Sequence, residues 1–189
     1  MGTPRERIMS TAFELLYRQG YRATGINQII AMSGVAKASF YDHFPSKDEL
    51  LVEYLSETSR HEIEEMRAEV ARHKSARDQF LAPMRMLKPW FDATDYRGCP
   101  FQNVLGEAPS DNPRVMTLAR QHHENVRVLL RELSRALLGG TSRKSKAEAD
   151  ALADFYLLLL EGAIALAAAY QQPWPVERAL ATLETRIEK

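Results

Sequence analysis

Three features of this 189-residue sequence predict an all-α fold. Apolar residues recur at helical spacing almost throughout, β-branched residues are sparse and nowhere alternate for long, and glycine and proline punctuate the periodic segments. A hydrophobic content of 45% and a charged content of 26% exclude a disordered chain, and the length suits one large domain or two small ones. Two domains are expected: residues 1–50 as a small helical bundle, and residues 51–189 as a larger helical domain.

Taken in order, Ile8, Met9, Ala12, Phe13 and Leu16 form the stripe of a first helix, which Gly20 stops. Thr24 is the expected cap of a short second helix with Ile26, Ile29 and Ile30 inward. Gly34 follows, where a sharp turn needs a residue tolerant of positive φ. A third segment, 37–44, ends at Pro45. Ser46 with Glu49 three residues on is a capping box opening a long helix whose expected stripe is Val52, Leu55, Ser59, Ile63, Met66 and Val70. The polar stretch 72–77 marks a boundary, and a single helix is expected over 78–93. Gly98, Pro100, Pro109 and Pro113 break the next region, with one short helix near 101–107. Asn112-Pro113 starts a long helix to about Leu138. Helices near 146–171 and 176–188 complete the chain, which holds no internal repeat and no low-complexity tract.

Lysine and arginine balance aspartate and glutamate at 25 each, which argues against bulk electrostatic coating of nucleic acid or membrane. The distribution is uneven. Residues 1–47 hold six basic residues against three acidic ones, +3, and the rest holds nineteen against twenty-two, −3. The single cysteine, Cys99, allows no intramolecular disulfide and fits a cytoplasmic location. The N-terminus lacks an apolar signal core, and Glu6 stands where a myristoylation signal wants Ser or Thr. The most apolar run, 155–170, contains Glu161 and falls short of the ~20 residues of a membrane span, so it reads as a buried helix and no membrane partner is expected.

Residues 26–44 hold two short helices joined at Gly34 after a first helix, the layout of a helix-turn-helix unit whose second helix enters a DNA major groove. The stretch Thr24-Gly25-Ile26-Asn27-Gln28-Ile29-Ile30, then Ser33-Gly34-Val35, Tyr41-Asp42-His43-Phe44 and Ser46-Lys47 with Leu50, resembles the DNA-binding domain of the TetR (tetracycline-repressor-like) family of bacterial transcriptional regulators. The likeness is specific over about the first 55 residues and architectural beyond them.

The resemblance implies that Thr24, Tyr41, His43 and Lys47 clamp the DNA backbone, Thr24 through its hydroxyl or the helix N-terminus. It implies that Lys37 and Ser39 read base edges, with Gly25 and Asn27 as secondary contacts and Arg5 reaching a flanking groove. Tyr41 reads equally as a packing residue, and Phe40 and Phe44 read as core. Ala36 and Ala38 stand where the family often has Ser and Gly. Both departures bear on which bases are preferred rather than on DNA binding.

The helix over 146–171 is apolar on nearly all sides, so it is expected to be buried on both faces, one against the core and one against a second copy of the chain. A fully buried helix of a monomer is the alternative. The resemblance implies a homodimer through the last two helices, reading a pseudo-palindromic double-stranded operator with recognition helices roughly 34–36 Å apart or more. It also implies a pocket for a small-molecule effector, with Trp90, Phe91, Tyr96, Phe101, Phe155 and Tyr156 as aromatic candidates and Gln102, Asn103 and His122 as polar ones. Each aromatic taken alone reads better as core, and it is the set that reads as a pocket. Ligand binding would then favour a conformer that re-spaces the two reading heads.

Cys99 sits before Pro100 with Arg97 nearby, a setting that lowers a thiol pKa; a redox or electrophile sensor and an inert buried thiol are the two readings. His122 and His123 are adjacent, about 100° apart on a helix, and make a poor chelating pair. No metal and no cofactor are therefore expected. No nucleophile, base and orienter assemble by spacing and no Gly-rich phosphate loop appears, so no catalytic residue is assigned and an enzyme is not expected. The leading expectation is a dimeric, ligand-responsive repressor. The alternatives are a DNA binder of the same fold without induction, and a sensor acting through Cys99.

Overall fold

The computed structural model describes residues 2–107 and 112–188. Pro109, expected among the helix breakers, lies outside the described residues. Ten α-helices and no strand are found among the described residues: α1 (Pro4–Gln19), α2 (Ile26–Ser33), α3 (Lys37–His43), α4 (Lys47–Ala71), α5 (Ala76–Arg85), α6 (Leu87–Thr94), α7 (Pro100–Glu107), α8 (Pro113–Leu138), α9 (Arg143–Tyr170) and α10 (Trp174–Ile187).

Local chemistry sets most helix ends. Thr3 and Glu6 form a reciprocal capping box at α1, and Pro4 fills a first-turn position whose N–H would go unused. Gly20, at φ +86°, ends α1. Gly34, at φ +62°, ends α2 in the left-handed conformation that permits an immediate turn into α3. Ser46 Oγ accepts the Glu49 N–H at 3.1 Å to start α4, while the Glu49 carboxylate meets the Arg114 guanidinium.

Four expectations need correcting. The N-cap of α2 is Gly25, because the Thr24 hydroxyl turns inward. The single helix expected over 78–93 is two, α5 and α6, joined at Met86. Pro89 explains the break, since it has no N–H to give to the carbonyl four residues back. The buried stripe of α4 runs through Leu50, Leu51, Tyr54, Leu55 and Met66, whereas Val52, Ser59, Ile63 and Val70 are half-buried. Finally, α9 starts at Arg143 under a Ser142 cap, and its 28 residues, with a mean hydropathy of 1.8 in the most apolar stretch, are long and apolar enough to cross a membrane by length and composition.

The chain divides into two compact units, Met1–Arg60 with Pro100–Arg120, and His61–Cys99 with Gln121–Lys189. In the first, α2 and α3 pack on α1, around Ile8, Ala12, Ile29, Phe40 and the first turns of α4. In the second, α10 packs on α9 and α5. The core there includes Phe80, Phe91, Leu130, Leu160 and Leu183, with the fully buried Tyr156 hydroxyl accepting the Met84 N–H at 2.9 Å.

The alternative of an α9 fully buried within a single chain is overturned, since only one of its faces is covered. Leu152, Tyr156, Leu160, Ala163 and Ala167 are buried, while Phe155, Leu158, Leu166 and Tyr170 are exposed, Leu158 by 74%.

Candidate functional site

The helix-turn-helix is held from behind by groups that sequence spacing did not single out. Arg7 Nη1 donates to the carbonyls of Ser33 (3.2 Å) and Gly34 (3.1 Å). These are unpaired acceptors at the negative end of α2, where a guanidinium both satisfies them and opposes the helix dipole. Thr24 is fully buried, and its Oγ1 donates to the carbonyls of Gly20 (2.7 Å) and Leu15 (3.2 Å). The hydroxyl's one proton is used inside the fold, so the hydroxyl route from Thr24 to phosphate is closed. The helix-terminus route is not, because no side chain caps the first turn of α2 or of α3.

On α3, Phe40 and Phe44 point into the core at 0% and 4% exposure, with ring centroids 6.1 Å apart. Lys37 and Tyr41, one turn apart, share the exposed face, with His43 exposed and Ser39 half-buried. Tyr41 is therefore not a core residue, and its ring rests edge-on against Phe40 at 5.3 Å. Lys47 is half-buried with its Nζ 4.1 Å above the Tyr21 ring, and burial lowers its pKa against the pull of Asp48 and Glu107. The Tyr21 hydroxyl donates to Asp48; burial first, then that carboxylate, pushes its pKa up. Arg5 does not extend as an arm. It lies in α1, paired with Glu53 and with Glu57 at 3.3 Å.

A second feature is a cavity with about 50 Å³ of room for the centre of a water-sized sphere, within the unit formed by 61–99 and 121–189. Met66, Leu87, Val126, Leu160 and Ile164 supply its apolar wall. Two of the expected pocket residues line it, Trp90 and His122, and so does Cys99, which was expected only as a candidate sensor thiol. The other expected residues do not. Phe91 is filled core with Tyr96 stacked on it at 5.2 Å, and Tyr156 is buried on Phe80 at 4.9 Å. Phe155 faces outward beside Arg178 and Thr182 of α10. Phe101 is buried in α7 and Asn103 is half-buried there, both in the other compact unit.

The acidic lining was missed. Glu62 and Glu65 of α4 and Glu161 of α9 face the cavity. His122 Nε2 lies 3.4 Å from Glu62, and His123 Nε2 lies 3.4 Å from Glu161. Burial first, then Glu161 and Glu65, pushes the Glu62 pKa up to about 8, with His123 opposing. Burial and His123 bring His122 down to about 4, with Glu161 opposing. Near neutral pH the Glu62–His122 contact is thus mostly between uncharged partners. The signal that marks these residues is a charge placed in an apolar helical stripe, Glu161 most plainly. Among the described residues no three His, Cys, Asp or Glu side chains are grouped to hold a metal ion.

A DNA-reading helix-turn-helix joined to an all-helical second unit defines a class, the helix-turn-helix transcriptional regulators. The profile described as "Bacterial regulatory proteins, tetR family" matches residues 8–54, and the one described as "Tetracyclin repressor-like, C-terminal domain" matches residues 84–183. The chain belongs to the tetR family of bacterial regulatory proteins, which are regulators and not enzymes. It is 47% identical over 60 residues to the uncharacterized HTH-type transcriptional regulator YxaF of Bacillus subtilis, a stretch covering 31% of each chain. It is 49% identical over 57 residues to the HTH-type transcriptional regulator LmrA of the same organism, covering 30% of each. These matches thus span less than a third of those two relatives. The HTH-type transcriptional repressor DhaR of a Mycobacterium species is 27% identical over 169 residues, covering 85% of this chain and 80% of that protein. Among solved structures, SCO4454, a TetR-family transcriptional regulator from Streptomyces coelicolor, superposes with a TM-score of 0.86 at 26% identity, covering 98% of this chain and 88% of that one.

Proposed function

We propose that this chain is a cytoplasmic, homodimeric repressor that binds a pseudo-palindromic operator and leaves it when a small molecule enters the cavity. Residues 1–50 would read DNA, and residues 51–189 would bind effector and dimerise. The observation that carries the reading is the division of α3, with Phe40 and Phe44 buried and Lys37 and Tyr41 presented outward. Lys37 then reads base edges with Ser39, while Tyr41, His43, Lys47 and the open first turn after Thr24 hold phosphates. Homodimerisation draws support from the bare apolar face of α9, because a monomer rarely leaves Leu158, Leu166 and Tyr170 to water together. Coupling draws support from α4, unbroken from Lys47 to Glu62 and Met66 in the cavity wall.

Fluorescence anisotropy with the duplex upstream of the chain's own gene, against a scrambled duplex at two salt concentrations, tests the reading. Specific binding that weakens with salt is expected. Lys37→Ala should lower operator affinity roughly tenfold without moving the melting temperature. Unchanged affinity in both Lys37→Ala and Tyr41→Ala would remove α3 as the reading element. A sensor acting through Cys99 draws on that thiol's place in the cavity wall. It would be favoured if peroxide released DNA from the native chain and not from Cys99→Ser.

A further inference from the structure

The last residue of α7 reaches the turn that leads into α2. The Glu107 carboxylate accepts the Arg22 main-chain N–H at 3.1 Å, and the Glu107 carbonyl accepts from Arg22 Nε at 2.8 Å. The carboxylate lies so close over Gly20 that a Cβ there would collide with both of its oxygens. Gly20 therefore does more than end α1; it leaves the room that Glu107 fills. Lys47, at the start of α4, shares this neighbourhood. Burial lowers its pKa while Asp48 and then Glu107 oppose, so both carboxylates lie within the field of the ammonium.

The two acids differ in what holds them there. Asp48 belongs to the first turn of α4, where the helix dipole favours a carboxylate, and it accepts from the Tyr21 hydroxyl and from Asn112 Nδ2 at 3.5 Å. Glu107 comes from 85 positions beyond Arg22 and ends its own helix, where a carboxylate opposes the dipole. Its charge is thus not placed for the sake of α7. It lies on residues 1–47, the stretch with a net charge of +3, beside a lysine and an arginine. A DNA phosphate wants the same donors, and a carboxylate already among them repels it.

We propose that Glu107 is a built-in brake on DNA binding, its carboxylate standing beside Arg22 and Lys47 on ground that a backbone phosphate takes, so that duplex DNA binds against its repulsion. This rests on the reading of Lys47 and the turn into α2 as phosphate-holding. One charge a few ångströms from a phosphate in water changes affinity by roughly three- to tenfold. Neutralising it also leaves the two cations more charge with which to release counterions from DNA.

The test is binding of the full chain to two duplexes, the one upstream of its own gene and a scrambled one, by fluorescence anisotropy from roughly 50 to 200 mM salt. Glu107→Gln keeps an oxygen for the Arg22 N–H and removes the charge. It is expected to bind both duplexes roughly three- to tenfold tighter, with a salt slope steeper by up to about one unit. A residue that only braces the turn would move the other way, because loosening the turn weakens binding and leaves the slope alone. Measuring well below each variant's melting midpoint keeps a modest loss of stability from masking the sign. Glu107→Asp retains the charge on a shorter arm and is expected to show no gain. Unchanged or weaker binding by Glu107→Gln, while the native chain binds, overturns the brake alone. An equal gain in Glu107→Asp overturns it too, by assigning the effect to geometry. Failure of the native chain and the variants to bind either duplex overturns the phosphate-holding reading together with this inference.

Discussion

In the unit that carries the helix-turn-helix, charged side chains are spent near the surface, Arg5 on Glu53 and Glu57, Arg7 on the carbonyls that end α2, Arg22 on the Glu107 carbonyl at 2.8 Å. In the other unit, Glu62 and His122 are drawn into a cavity wall where burial works against their charged forms. Both units are helical bundles with aromatic cores, so the difference lies in what they present. The first offers donors and cations on a rigid, short helix, as an anionic polymer requires. The second offers carboxylates inside a hollow, as a small guest requires. Rigid presentation needs a filled core behind it; a guest site needs the core left incomplete.

The sharpest way to break the comparison is to hollow out the first unit. Phe40 is fully buried on α3, which packs on α1. Phe40→Ala should cost roughly 3–5 kcal/mol, read as a lowered urea midpoint by circular dichroism, and DNA binding should fall with it. A cost below about 1 kcal/mol would mean that α3 is not fixed by its buried face.

A smaller effect tests the second unit through pH. Glu62 has its folded pKa raised to about 8 from 4.5, so between these values the folded chain holds a proton that the unfolded chain has lost, and stability falls as pH rises. His122 has its folded pKa lowered to about 4 from 6.5, so between these values stability rises with pH. The two slopes oppose each other between 4.5 and 6.5, leaving a decline of about 1–2 kcal/mol from pH 6.5 to 8 that belongs to Glu62. Urea titrations of the native chain and Glu62→Gln at pH 6.5 and 8 check it. The variant should lose the decline. An equal decline in both proteins would mean that Glu62 is ordinarily ionised and that the two units treat charge alike.

The contrast also explains what was legible in the sequence. The residues proposed to read DNA and those that hold them fall within two dozen positions, and each follows from a local rule: Gly34 from the positive φ of the turn, Phe40 and Phe44 from one face of the helix, Lys37 and Tyr41 from the opposite one. The cavity joins Glu62, Trp90, His122 and Glu161, about a hundred positions apart, and no spacing rule connects them. Aromatic residues were a poor guide, since Phe91, Phe101 and Tyr156 fill space and Phe155 faces outward. A filled aromatic and a lining one have the same helical period. The break between α5 and α6 was readable from Pro89 but was overridden by the apolar period on either side, and Pro83 sits inside α5 without ending it.

Arg5 gives the smallest effect. Its position near the N-terminus suggests a loose arm for a flanking groove, yet it lies in α1, with its guanidinium on Glu53 and Glu57 of α4 and 5.9 Å from the Phe44 ring. An ion pair this exposed is screened and contributes little, so Arg5→Ala should change stability by less than about 1 kcal/mol. Operator affinity should stay within a factor of about two, since a guanidinium already neutralised by two carboxylates has little charge left to release counterions from DNA. The salt dependence of binding is the more discriminating readout. A slope shallower by about one unit in Arg5→Ala would show that DNA pulls Arg5 from its carboxylates. The first unit would then not be as preformed as its buried face suggests, and its contrast with the incomplete core of the second would narrow.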